Sequence, residues 1–405
     1  MIPYPEVIVG TDLRTRFPDT ELVSEYLAAG SPAGELIYLG FGETWTKAAP
    51  GLTAALAALP THAHGYIISQ YGLPRLQRVL RSYITRTHGL APEFSAGVDY
   101  EVAVTAGGTR NAMFDFGRML RADGASTVLA PMPGWDYAGV FGPLGYRTRY
   151  YPVDRGQPVT DGLTMDRNTL LVINAQHNPT GANWRPELIR ELLAFARAAG
   201  AAVLLDDAYF GVHDPEQTPT SALSLLLQET PGSRWLAVRS LGKQFHCSGW
   251  GIGAATADPR TLDALVNRWQ FQRSFASAIP LQEAMASWLA DPASERYLAE
   301  QGRAHSVKRA AVQESLCSDL GYPPDMAQVG EFAPFARIPL PRAHRDGSVL
   351  QFRHECLRKT GVLVGVDRWD AENSDRSPCY RLYLGPELPV IIEAITRMGR
   401  AGYGY

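Results

Sequence analysis

The sequence predicts an α/β protein, a three-layer α/β/α sandwich around a mostly parallel seven-stranded sheet, with a smaller α+β domain beside it. Three observations carry this. At 405 residues the chain is too long for one small core. Between residues 100 and 257, short apolar runs alternate with segments of helical periodicity. After about residue 285 that alternation stops, and a long helical stretch leads into three strand-like runs and a last helix.

The seven runs are "YEVAVTA" (100–106), "STVLAP" (126–131), "YRTRYYPV" (146–153), "TLLVINA" (169–175), "AAVLLDDA" (201–208), "WLAVRS" (235–240) and "GIGAATA" (251–257). Several are almost continuously apolar, which suits strands covered on both faces. Between them, "RPELIRELLAFARAAG" sets Leu188, Ile189, Leu192, Leu193 and Ala196 at helical spacing, and Gly200 stops the helix. "TRNAMFDFGRMLRA" reads the same way. In the C-terminal part, "SERYLAEQGRAHSVKRAAVQESLCSDL" is the long helix, "FARIPL", "VLVGV" and "CYRLYL" are the strands, and a helix lies near 386–400. The N-terminal segment is expected to complete this unit. The expected division is a large domain over 51–285 and a discontinuous small one made of 1–50 and 286–405.

Composition narrows the function. Hydrophobic residues are 45%, charged residues 20% and the net charge −3, as in an ordinary soluble globular protein. Scattered basic residues balanced by acids argue against a nucleic-acid partner. No apolar run approaches the ~20 residues of a membrane span, and the opening "MIPYPEVIVGTDLRTRF" lacks the pattern of a signal peptide. Cys247, Cys317, Cys356 and Cys379 stand far apart, with no CxxC pair. Free thiols in a reducing cytoplasm fit better than disulfides or a metal site.

The strand ends carry the chemistry, because ligands of parallel α/β sheets collect there. After "EVAVTA" comes "GGTRNAM", a small-residue turn opening a helix, which suits a phosphate or needs no ligand at all. "QHNPTG" follows the 169–175 run, with Asn178 and Pro179 in the turn. Asp206 ends an apolar run directly, where a carboxylate is costly unless paired, and Tyr209 follows three residues on. "PGWDY" offers Trp135. Lys243, in "SLGKQFHCSGWGIG", has two readings: a surface lysine with a buried stem, or a desolvated amine ready to form a Schiff base.

An aromatic plate, a buried carboxylate, a phenol, an amide, a phosphate turn and a lysine together meet the needs of pyridoxal 5′-phosphate. With "NPTG", "D-x-A-Y" and "S-x-x-K" in that order, the chain resembles the fold-type I pyridoxal-phosphate enzymes of the class I/II aminotransferase family over nearly its whole length. The resemblance implies that Lys243 carries the internal aldimine and shuttles a proton to and from the quinonoid carbanion. It assigns Asp206 to the pyridine nitrogen, Asn178 and Tyr209 to the ring oxygen, and Trp135 to stacking. Gly108, Thr109 and Ser240 are assigned to the phosphate. Arg381, in "YRLYLG", matches the arginine that grips the substrate's α-carboxylate, and Tyr66 falls where relatives place a tyrosine reaching the partner subunit of a homodimer.

Two positions depart from the family pattern. Its arginine eight residues after the lysine is Gly251 in this chain, and Gly242 stands where serine is common. A lost charge-assisted contact is worth about 1.5–3 kcal/mol, so another cation is expected to compensate. Arg239, Arg110 and Arg273 are the candidates. Arg273 is preferred, because it lies just before the "SFASAIPLQ" segment that faces the cofactor in relatives. The activity implied is transamination between an L-α-amino acid and a 2-oxo acid. The altered phosphate pocket keeps a second class in view: elimination or γ-replacement on an adenosylmethionine-like substrate, cyclisation, or amino-acid oxidation. A non-catalytic regulator that has borrowed the fold is the remote third.

Overall fold

The apolar runs pair into one large sheet. The computed structural model describes residues 18–43, 47–229, 234–274, 278–367 and 378–405. In chain order its strands are β1 (Ile37–Leu39), β2 (Glu101–Val104), β3 (Thr127–Met132), β4 (Arg147–Asp154), β5 (Gln157–Pro158), β6 (Thr169–Ile173), β7 (Ala202–Asp206), β8 (Trp235–Ser240), β9 (Gly253–Ala257), β10 (Gln328–Val329), β11 (Phe335–Pro339), β12 (Val362–Val366) and β13 (Cys379–Tyr383). The large sheet is ordered β2-β9-β8-β7-β6-β3-β4-β5. From β4 to β8 neighbours are parallel, whereas β9 runs antiparallel between β8 and β2. The sheet has one strand more than the sequence predicts. That strand, β5, is a two-residue turn-back on the end of β4, too short to show any alternation.

Alternation along each strand sends side chains to opposite faces, and both faces are covered. Leu171, Val203 and Leu205 pack with Leu76, Leu192 and Met285 from helices Pro74–Thr87, Pro186–Ala199 and Ile279–Ala290. Val128, Val172 and Leu204 pack with Met113, Phe116 and Leu120 of helix Gly108–Ala122. Each such burial is worth about 1.5–3 kcal/mol, which is why the strands read as unbroken apolar runs. Gly200 does end its helix, in the left-handed region at φ 66°.

The second sheet is ordered β1-β12-β13-β11-β10. Its first strand comes from the N-terminal segment, with Ile37 beside Val362 in parallel register. Helix Pro18–Ala28 packs Val23 and Tyr26 against Leu357 and Leu363. Buried Asp19 ties it down further, pairing with buried Arg353 and accepting the Tyr38 hydroxyl at 2.6 Å. Residues 1–17, also expected in this unit, lie outside the described residues. The 26-residue helix Ala293–Ser318 packs against elements of both units. Among the described residues, no helix is long and apolar enough to cross a membrane, and no cluster of His, Cys, Asp or Glu gathers as a metal site. The four cysteines are free thiols.

Candidate active site

Strand register sorts the polar side chains at the sheet's carboxyl edge. Asp206 lies beside Val238 in the parallel β7–β8 pair, so Asp206, Val238 and Ser240 share one face, and Asp207 and Arg239 share the other. The Asp206 face opens on a cavity of about 200 Å³. Its lining brings together Thr109, Trp135, Asn178, Asp206, Tyr209, Ser240, Lys243 and Arg381, all expected from the sequence.

Local structure aims each group. Ser240 ends β8 and caps the short helix Leu241–Phe245, its hydroxyl accepting the Lys243 amide at 3.3 Å. The turn delivers the Lys243 ammonium to the Gly42 carbonyl at 2.9 Å, 5.5 Å over the Phe41 ring. Burial lowers the Lys243 pKa; nearby Arg381 acts in the same sense and Glu43 opposes it. Asp206 is buried and accepts the Tyr137 hydroxyl at 2.7 Å and the Ala208 amide at 3.2 Å. Burial nevertheless pushes its carboxyl up to about 6. Tyr209 is buried edge-on to Phe335, with ring centres 5.3 Å apart, and burial raises its phenol.

Arg381 reaches the cavity from β13, in the other unit. It donates to the Asn178 side-chain oxygen at 3.0 Å and to the Gly40 carbonyl at 2.9 Å, and lies 4.3 Å from the Phe335 ring centre. Gly107 and Gly108 turn through the left-handed region into helix Gly108–Ala122, beside Thr109. The departures from the family pattern have steric reasons. A Cβ on Gly242 would stand 2.7 Å from the Ser248 Cα, leaving no room for serine. Gly251, at φ 62°, packs so closely on the phosphate-like turn that its Cβ would stand 3.2 Å from the Gly107 Cα.

Gly108, Tyr66 and Arg273, all expected at the site, are not among the residues that line the cavity. Tyr66 is 81% exposed. Arg273 is turned to buried Asp115, at 2.6 Å, and to the Ala106 carbonyl, at 3.3 Å. Residues 275–277 of the "SFASAIPLQ" segment lie outside the described residues. Arg239 is buried on the opposite face, bonded to Thr87 and His88 and stacked 4.2 Å from the Phe210 ring centre. Arg110 does line the cavity, its guanidinium 4.4 Å from the Trp135 ring centre.

Sequence reasoning missed several supports. Tyr137 stands inside the quoted "PGWDY", two residues past Trp135. Asn174 donates to the Asp206 carbonyl at 2.6 Å and accepts the Asn178 amide at 2.9 Å. His177 bonds Thr180 at 2.7 Å and the Pro133 carbonyl at 3.1 Å, joining the "NPTG" turn to the turn that carries Trp135.

The buried titratable groups set an acid limit on stability. Burial holds His88 well below its ordinary value, His213 below it, His177 at about 3, and His246 and His305 at about 4. Below pH ~6.5 the unfolded chain takes up protons that these rings refuse in the fold, so stability falls as pH drops. Asp206 and Asp207, raised by burial to about 6 and about 7, act oppositely and hold extra protons in the fold between pH ~4 and those values. Five rings outnumber two carboxyls, so the net effect of acidification is a loss of stability. Without cofactor, the urea midpoint should drop steeply from pH 6.5 to 4.5, and a flat profile there would contradict this account.

The residues present fit pyridoxal 5′-phosphate. A carboxylate held by two donors stands across the cavity from an amine of lowered pKa, with an indole wall and a glycine turn at a helix N-terminus. This fold and site define a pyridoxal-phosphate-dependent transferase of fold type I. The model of the family "Aminotransferase class I and II" matches residues 35–365, and the chain belongs to that family. The chain is 27% identical to the 4-dedimethylamino-4-oxo-anhydrotetracycline transaminase of Streptomyces rimosus, over 74% of this chain and 79% of that one. It is 28% identical to a probable aminotransferase of Mycobacterium tuberculosis, over 78% and 71%. An aspartate aminotransferase double mutant of Thermus thermophilus superposes with a TM-score of 0.79 at 20% identity, covering 97% of this chain and 98% of that one.

Proposed function

We propose that the chain transfers the amino group of an L-α-amino acid to a 2-oxo acid. The observation that carries the reading is the single cavity joining Lys243, Asp206, Tyr209, Asn178 and Trp135 of the 51–285 unit to Arg381 of the 286–405 unit. Pyridoxal 5′-phosphate, when bound, supplies an electrophilic aldehyde and an electron-accepting ring. Lys243 holds that aldehyde and then moves the proton at the substrate's α-carbon. Its lowered pKa favours the neutral amine both tasks need. Asp206, oriented by Tyr137 and the Ala208 amide, keeps a proton on the ring nitrogen. Tyr209 and Asn178 serve the ring oxygen, and Trp135 covers one ring face. Gly108, Thr109 and Ser240 receive the phosphate.

For the cation missing at Gly251, Arg110 now replaces Arg273 as our assignment. Arg110 borders the cavity next to Thr109 although it also pairs with half-buried Asp136 at 3.2 Å, whereas Arg273 lies outside the cavity on buried Asp115. Arg381, bridged to Asn178, takes the substrate's α-carboxylate. Arg381→Gln should raise KM for the amino acid about 10- to 100-fold, the loss of a charge-assisted contact, with cofactor affinity little changed. An unaltered KM would remove Arg381 from the substrate site.

Tyr66 and its neighbour Ile68 are 81% and 97% exposed. A second copy covering them fits the homodimer implied by the family, with sites shared between subunits. A fully active monomer in light scattering would refute that assembly. The free thiols fit the cytoplasm. Elimination, replacement, cyclisation and oxidation gain nothing from the relatives named above, which are called a transaminase and aminotransferases. The test is an amino-acid panel with a 2-oxo acid acceptor, scored by the bound cofactor's absorbance and by the oxo acid formed. If no member yields an oxo acid, the reading fails.

A further inference from the structure

Lys243 is also a wall of a second, smaller cavity of about 40 Å³. It shares Gly42, Tyr209 and Lys243 with the first, and its other walls include His246, His305 and Lys308. At ~10–15 Å³ per water it has room for about three waters, the bulk of a small ion.

Its charges are poorly matched. Lys308 is buried, and its ammonium donates to the Gly385 carbonyl at 2.8 Å. The Lys47 ammonium approaches the same oxygen at 3.5 Å. Lys47 is paired with Glu387 at 2.7 Å, but that carboxylate is 68% exposed. Glu43, also lining the pocket, acts on Lys243. Among the described residues, Lys308 forms no ion pair with a carboxylate. Burial and Lys47 bring its pKa down to about 8 against the pull of Glu387, and after burial Lys47 and Lys308 press His246 down. A buried cation that shares its carbonyl with a second cation is costly unless a negative charge joins it.

We propose that this inner pocket binds a small monovalent anion, of formate or chloride size, on the Lys308 ammonium. The anion ties helix Ala293–Ser318, which carries Lys308, to the wall formed by Gly42 and Lys243, and so clamps the two units together. The inference stands apart from the transamination reading, since it concerns a free ion and not the amino acid.

Formate titrated into the cofactor-loaded protein, with gluconate keeping ionic strength constant, should raise the thermal midpoint saturably by about 2 °C or more. Lys308→Met should lose that response and Lys308→Arg keep it. Arg381→Gln should also keep it, which separates this pocket from the α-carboxylate site. Calorimetric titration of the wild-type protein with formate reads the same binding without relying on any variant folding. Equal midpoints in formate and gluconate, no heat of binding, or a full response in Lys308→Met would overturn the proposal.

Discussion

Lys243→Ala should lose turnover by at least about four orders of magnitude, ~5 kcal/mol in the barrier, while the protein keeps its fold. Two tasks rest on one amine: holding the cofactor's aldehyde and moving the proton at the α-carbon. The structure shows why the fold should survive. Among the described residues, the ammonium makes one hydrogen bond, to the Gly42 carbonyl, and one ring contact, with Phe41. Alanine keeps the backbone N–H that Ser240 caps and is favoured in a helix. Burial already penalises the charge that the substitution removes, so the variant should unfold no earlier in urea than the wild type. The measurement is turnover of the purified variant under saturating cofactor, beside its circular dichroism. Retained turnover would sink the assignment of Lys243.

The large sheet was legible because its inner strands, β6, β7 and β8 among them, are buried on both faces and show as short apolar runs, whereas β4 is largely polar and only partly buried. β5 was not legible, since two residues folded back on β4 carry no periodicity. Asp206, Asn178, Ser240 and Lys243 stand in such runs and motifs, whose order carries the family resemblance that singled them out, and the fold brings them to one cavity. Residues that act through another residue could not be singled out in this way. Tyr137 and Asn174 hold Asp206 and Asn178 by hydrogen bonds across strands, and no sequence interval encodes those pairings. Arg273 shows the same limit. It is close in sequence to a segment that faces the cofactor in relatives, yet buried Asp115, 158 positions away, claims its guanidinium. Gly242 and Gly251 read in the sequence as departures from the family pattern, with a missing charge to be compensated. In the structure they are tight packing against Ser248 and Gly107, a property of backbone approach that one-dimensional patterns do not carry.

Asp206→Asn should slow turnover by several orders of magnitude, each factor of ten being about 1.4 kcal/mol, and Asp207→Asn should be much milder. The two carboxylates are chain neighbours, and strand geometry alone separates them. Asp206 faces the cavity with Ser240, whereas Asp207 is buried on the other face, 3.7 Å from the His88 ring nitrogen and within the field of Arg239. Asparagine at 206 keeps the shape and its one side-chain oxygen can still accept from Tyr137, at the cost of the Ala208 amide bond. What disappears is the negative charge that keeps a proton on the cofactor's ring nitrogen, and with it the ring's ability to accept electrons from the α-carbon. Asp207, expected to be the more solvated or structurally paired of the two, is buried in the field of Arg239, and its carboxylate oxygens have no hydrogen-bond partner among the described residues. Its substitution should therefore register in the urea midpoint and leave the rate within about tenfold, ~1.4 kcal/mol. Both variants should be assayed at saturating cofactor, with cofactor affinity measured separately, since a weakened complex would mimic a slow one. If Asp207→Asn proves to be the crippled enzyme, then Asp206 does not serve the ring nitrogen, and the face assigned to Ser240 and Lys243 falls with it.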